Sequence, residues 1–179
     1  MALAVLSVVG SDRPGLTKAL AAAVLSAGGN WLESRLSQLG GLYVGSVLVE
    51  LEQPQFDALR SAVQAVDAQG LEVRITSTVE EPSAAGEALH FSLVGQDRSG
   101  IVDQVTAVLT DLNANIESIE TWVSAEPHSG IALFHMEARL QLPPELRADR
   151  VQAALQEISA EIMVDISVTP APLPSVAPR

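Results

Sequence analysis

One seven-residue stretch occurs twice in this sequence, and its residue types suit the binding of a small charged molecule. It reads Gly10-Ser11-Asp12-Arg13-Pro14-Gly15-Leu16 and returns as Gly95-Gln96-Asp97-Arg98-Ser99-Gly100-Ile101. Gly10 and Gly95, Asp12 and Asp97, Arg13 and Arg98, and Gly15 and Gly100 are each 85 residues apart, as are Asn30 and Asn115. Each copy follows an apolar run, Leu6-Ser7-Val8-Val9 or Phe91-Ser92-Leu93-Val94, and each opens a helical pattern. A strand that runs through a polar, glycine-containing turn into a helix start presents free backbone N–H groups to whatever lies there. A plain scaffold reading stands beside this one. Asp12 and Asp97 suit helix capping. Arg13 and Arg98 suit a solvated surface. Asn30 and Asn115 suit strand entry.

Other chemistry is sparse. His90, His128 and His135 have no metal-ligand spacing, so no metal is expected. Nucleophile-elbow, phosphate-loop and dinucleotide signatures are absent, so no catalytic residue, no cofactor and no enzyme activity are expected. Gly40-Gly41-Leu42-Tyr43-Val44-Gly45 is glycine-rich but falls in a hairpin rather than before a helix. Trp31 and Trp122 read as packing or interface residues, since no basic groove accompanies them. Glu33, Glu117 and Glu120 read as solvent-facing.

Charge narrows the partners further. The net charge is −12, and division after Ala85 gives −4 and −8 for the two parts. Neither part has the basic face that direct nucleic-acid binding needs. With no lysine in either turn, phosphate is a poor ligand and a zwitterionic amino acid a better one. Cysteine is absent, which excludes disulfides and thiolate metal sites. No apolar run approaches the ~18 residues of a membrane span, and Ala2 to Val9 reads as a strand rather than a signal peptide. The expectation is a soluble cytoplasmic protein that makes no membrane contact. With aromatics at 3%, its cores must be built from Ala, Val, Leu and Ile.

The elements that position the turns repeat as well. Ala2 to Val9 predicts a strand buried on both sides. A helix follows to about Ala27, with Leu16, Leu20, Ala23, Val24 and Ala27 on one face and Gly28-Gly29 as its stop. Asn30 to Leu39 predicts a strand with Leu32 and Leu36 on one side. Gly40-Gly41 predicts a tight hairpin into Leu42 to Leu51. A helix from about Gln55 to Gln69 and a strand from Leu71 to Val79 complete the first unit.

The second unit follows the same order. It runs through Leu89 to Gly95, a helix bearing Ile101, Val105 and Leu109, then Asn115 to Ala125. A loop at 126–130 leads to Ile131 to Leu142. A helix capped by Asp149 bears Val151, Leu155, Ile158 and Ile162, and Met163 to Thr169 closes the unit. A βαββαβ unit is the ferredoxin-like split motif, a four-stranded antiparallel sheet with two helices on one face, so the fold class is α+β. The expected domains are 1–79 and 88–169, joined by a linker at 80–87 and followed by a proline-rich tail at 170–179. The two-sided apolarity of Leu42 to Leu51 predicts packing between repeats, with formation of a homodimer as a further means of covering it.

The repeated turn, the βαββαβ order and the tandem arrangement resemble the ACT family of small-molecule-binding regulatory domains. The match is closest to proteins similar to the glycine cleavage system transcriptional repressor. It is carried by Gly10, Asp12 to Leu16, Gly29-Asn30, Glu33 to Leu36, Asp97 to Val102, Asn115-Ile116 and Ile162 to Ile166. The resemblance implies amino-acid binding where the β1–α1 turn of one unit faces the second strand of a neighbour. Asp12, Arg13, Pro14, Gly15, Leu16 and Asn30 would form one half-site. Asp97, Arg98, Ser99, Gly100, Ile101 and Asn115 would form the other. A ligand carboxylate would take helix N-terminal N–H groups, and the ammonium a side-chain or backbone oxygen. The resemblance implies a non-enzymatic regulator that senses glycine or a similar metabolite and acts through a protein partner such as a transcription factor. The alternative is an interaction module whose turns only begin helices. The first turn is the stronger candidate, because Ser99 replaces Pro14 in the second.

Overall fold

The computed structural model describes residues 1–78, 86–126 and 129–171. Most of the expected linker, most of the tail, and Pro127-His128 of the second hairpin loop lie outside the described residues. The chain divides into two compact units, residues 1–82 and 83–179.

In the first unit the elements are β1 (Ala2–Ser11), α1 (Leu16–Ser26), β2 (Asn30–Leu39), β3 (Leu42–Leu51), α2 (Phe56–Asp67) and β4 (Leu71–Thr78). A 3-10 turn, Gln53–Gln55, leads into α2. The strands form one antiparallel sheet in the order β2-β3-β1-β4. The second unit repeats this with β5 (Ala88–Gln96), α3 (Ile101–Asp111), β6 (Asn115–Ala125), β7 (Ala132–Gln141), α4 (Ala148–Ile162) and β8 (Val164–Pro170), in the order β6-β7-β5-β8. Two ferredoxin-like βαββαβ units follow one another, as the residue pattern implies.

Alternation along the central strands decides which face is covered. Ala4, Leu6 and Val8 are buried against Leu16, Leu20, Val24, Leu59 and Val63 of the two helices. Ser7 and Val9 point the other way and are exposed. β1 is therefore covered on one face, not both: its β-branched content reflects a central position in the ladder, while both helices occupy a single side. The expected two-sided apolarity of β3 is present, but β3 is an inner strand, and Leu42 on its open face is 44% exposed. The second core is built the same way on Leu89, Phe91, Leu93, Met136, Ala138 and Leu140.

Local rules account for the element ends. Gly40 and Gly41 both have positive φ (60° and 84°), as a two-residue hairpin between Leu39 and Leu42 requires. α1 ends with Gly28 N–H donating to Leu25 O (2.9 Å) and Gly29 N–H to Val24 O (3.0 Å). α3 ends alike: Asn113 N–H donates to Thr110 O and Ala114 N–H to Leu109 O, both at 2.9 Å. Gly28 (φ 76°) and Asn113 (φ 56°) take the left-handed position these ends need.

Two expectations are corrected here. β2 carries a bulge at Leu32, so the alternation slips and Leu32 is 45% exposed, while Trp31 packs against the core with Leu36. The matching bulge in β6 falls at Glu117, again 85 residues on. Asp149 does not cap α4; Arg147 stands at that position, and Asp149 Oδ1 instead accepts the Arg150 N–H from within the first turn (3.1 Å).

Candidate functional site

The turn glycines fall into two kinds. A Cβ on Gly10 would stand 2.3 Å from Gly70 O, and one on Gly95 would stand 2.4 Å from Val164 Cγ1. These two let the end of the first strand of each unit lie against the start of its last. Gly15 (φ 98°) and Gly100 (φ 93°) have no neighbour within 4 Å of a modest side chain. Their requirement is conformational: each occupies the N-cap position in the left-handed region, which glycine enters without steric cost.

In the first unit, Asp12, Arg13, Pro14 and Gly15 are exposed, and Leu16 is buried as the anchor of α1. Asp12 does not cap the helix, because no side-chain oxygen reaches its N-terminus. Its Oδ2 accepts a hydrogen bond from Gln38 Nε2 (2.8 Å), tying the turn to β2. Arg13 Nη2 lies over Gly70, 3.7 Å from where a Cβ would be. The first helical bond of α1 runs from Ala19 N–H to Gly15 O (2.9 Å), so the N–H groups of Leu16, Thr17 and Lys18 have no helical acceptor. Thr17 Oγ1 shares a 2.6 Å hydrogen bond with Tyr43 Oη. Lys18, the only lysine of the chain, is exposed in the first turn of α1, two residues beyond the repeated stretch.

In the second unit, Asp97, Arg98, Ser99 and Gly100 are likewise exposed, and Ile101 is buried. Asp97 N–H donates to Ala132 O (2.9 Å), and Arg98 Nη2 to Gln104 Oε1 (3.3 Å). The surrounding side chains are different. Val102 stands where Thr17 does, Asp103 where Lys18 does, and Val123 where Gln38 does, each 85 residues on. Phe134, opposite Gly95, takes the place of Tyr43, opposite Gly10. A shallow hollow of about 560 Å³ opens here between Arg98, Ser99, Gly100, Val102, Thr106 and Phe134.

The asparagines do not join these turns within a unit. Asn30 pairs with Glu50, and Gln38 beside the turn pairs with Tyr43, seven residues along β3, which is roughly 23 Å at the rise of a strand. Asn115 pairs with Gln141, at the far end of β7 from the turn. Conversely, Thr17, Gln38, Tyr43 and Phe134 were not legible as site residues. The usable signal was register: a hairpin between the second and third strands returns their joined ends to the end of the first strand.

A family model described as ACT domain matches residues 2–76. No curated protein matches the chain. An unknown protein from Galdieria sulphuraria has a crystal structure similar to this chain, with a TM-score of 0.84 and 30% identity over 96% of this chain and 99% of that one. A candidate glycine cleavage system transcriptional repressor has a similar fold, with a TM-score of 0.69 and 18% identity over 94% of this chain and 96% of that one. The second unit repeats the strand order, the bulge and the turn of the first. The chain belongs to the ACT-domain family, as two such units in tandem.

Proposed function

We propose that the protein is a non-enzymatic regulator that binds an amino acid, glycine or a similarly small one, at its first turn. The observation that carries this reading is the start of α1. Three N–H groups without helical acceptors, an exposed lysine and open space above Gly15 stand together there. A carboxylate placed on those groups is favoured by the helix dipole and by Lys18. The ammonium is matched by Asp12, whose Oδ2 is already fixed by Gln38. Lysine at a helix N-terminus opposes the dipole, and a bound carboxylate removes that conflict. Asn30, remote from its own turn, would complete a site only when a second strand from another ACT copy closes over the turn. The regulated partner is a protein, such as a transcription factor, because the net charge of −12 disfavours direct nucleic-acid contact.

A thermal-shift screen of the common amino acids tests this reading. A ligand bound only by the folded state at about a hundred times its Kd adds about 2.7 kcal/mol and raises the melting temperature. No shift with any amino acid at millimolar concentration would leave the alternative, an assembly module without ligand. The Thr17–Tyr43 bond favours that alternative to the extent that it already occupies the hydroxyl nearest the turn.

A further inference from the structure

The open face of the second sheet carries a feature that neither turn uses. Across the strand order β6-β7-β5-β8, Trp122, His135, Val94 and Asp165 stand in one row. The Trp122 and His135 rings stack, with centroids 5.0 Å apart and planes 3° from parallel. Ser124 Oγ shares a 2.8 Å hydrogen bond with His135 Nε2, which fixes the imidazole from its outer edge. A hollow of about 310 Å³ lies beside this pair, lined also by Ser92, Val94, Glu137 and Asp165. Its aromatic wall is on β6 and β7, and its acidic wall reaches β8. Two strand spacings separate His135 from Asp165, which is roughly 10 Å between backbones.

The lining has one sign of charge. Among the described residues no lysine or arginine lines the hollow, and none of the ion pairs there involves Glu137 or Asp165. Arg139, two residues beyond Glu137 on the same face of β7, donates to Glu117 Oε2 at 2.7 Å. No group of three or more metal-ligating side chains occurs among the described residues, so the two carboxylates do not make a metal site there. An aromatic platform facing carboxylates is the chemistry that takes a flat organic cation: the plane stacks on the rings while its N–H groups reach the carboxylate oxygens. The volume sits at the lower bound of small-molecule sites, which suits a small compound rather than a protein segment. The corresponding row of the first unit reads Ser37, Val44, Val9 and Glu72, with no aromatic ring.

The geometry points to a second ligand site, on the open face of the second unit, for a small guanidinium compound. The guanidinium stacks against the His135–Trp122 pair and hydrogen-bonds to Asp165, with Glu137 adding charge. The test is calorimetric titration of the full chain with agmatine, which carries a guanidinium but no carboxylate and so lacks the group the turn would bind. Saturable binding is expected, and putrescine, a cation of similar length without the planar group, should bind about tenfold more weakly. Asp165→Asn and Trp122→Ala should each weaken agmatine by about tenfold, and Asp165→Asn, at an exposed position, should do so while leaving the melting temperature in place. Absence of saturation up to about 10 mM overturns the proposal, as does equal affinity for putrescine or an unchanged affinity in Asp165→Asn.

Discussion

The two turns share a backbone and differ in nearly every side chain around it. Both place a glycine at φ near 95° ahead of a helix, and both bury the next residue. Around the first, Thr17, Tyr43, Gln38 and Asp12 form two hydrogen bonds, and Lys18 brings positive charge. Around the second, Val102, Phe134 and Val123 are apolar, and Asp103 brings negative charge. The duplicated scaffold keeps the glycines that the chain trajectory demands, together with the Asp-Arg pair, while the side chains that surround the turn differ. The shared glycines therefore report on folding. The open faces diverge in the same way, with an aromatic pair in the second unit where the first has Ser37 and Val44.

The sharpest way to break this separation is through the glycines. Gly10→Ala drives a Cβ into the Gly70 carbonyl and is expected to cost about 3 kcal/mol in denaturant unfolding. Gly95→Ala meets first a valine methyl that has some freedom to shift, so its cost should be smaller, about 1–2 kcal/mol. Equal costs would show that the two close approaches are interchangeable. Next come Gly15→Ala and Gly100→Ala. Each places a Cβ in the left-handed region with no collision, for about 1–2 kcal/mol, and the two values should agree. A neutral result at either position would remove the conformational argument for that turn.

Smaller effects test the divergence itself. Tyr43→Phe removes the bond to Thr17 and should cost about 0.5–1.5 kcal/mol, whereas Phe134→Tyr, facing Val102, should recover nothing. A double-mutant cycle of Thr17→Val with Tyr43→Phe isolates the pair, and a zero coupling energy would mean the bond is not made in solution. Smallest are the charges at the helix starts. Lys18→Glu should stabilise the fold by about 0.3–1 kcal/mol and Asp103→Lys should destabilise it by a similar amount, since negative charge suits a helix N-terminus. A common sign for the two substitutions would show that the contrast between the turns is not electrostatic.

Periodicity and punctuation made most of the fold legible. The helix faces, the Gly40-Gly41 hairpin and the Gly28-Gly29 helix end all follow from local rules and are present. One-sided burial of β1 was not legible, because a β-branched run looks alike whether one or both faces are covered. The bulge at Leu32 was hidden for a related reason: Trp31 and Leu32 are adjacent and both apolar, so the sequence does not say which of them takes the core face. At the candidate site the turn was visible as a repeat, but its neighbours were not. Tyr43 and Gln38 reach it only through hairpin register, and Asp12 turned out to hold β2 rather than cap α1. Asn30 shows the opposite hazard, since it keeps the offset of the repeat yet stands at the far end of the sheet.

The most direct measurement is calorimetric titration of small amino acids into the wild-type chain and into Lys18→Glu. That variant is expected to be at least as stable as wild type, so lost binding could not be ascribed to a damaged fold. The account predicts saturable binding of glycine or a similarly small amino acid to wild type, and at least tenfold weaker binding to Lys18→Glu, on the scale of one charge-assisted contact. Undiminished binding in Lys18→Glu, or no binding by wild type at millimolar concentration, would contradict it.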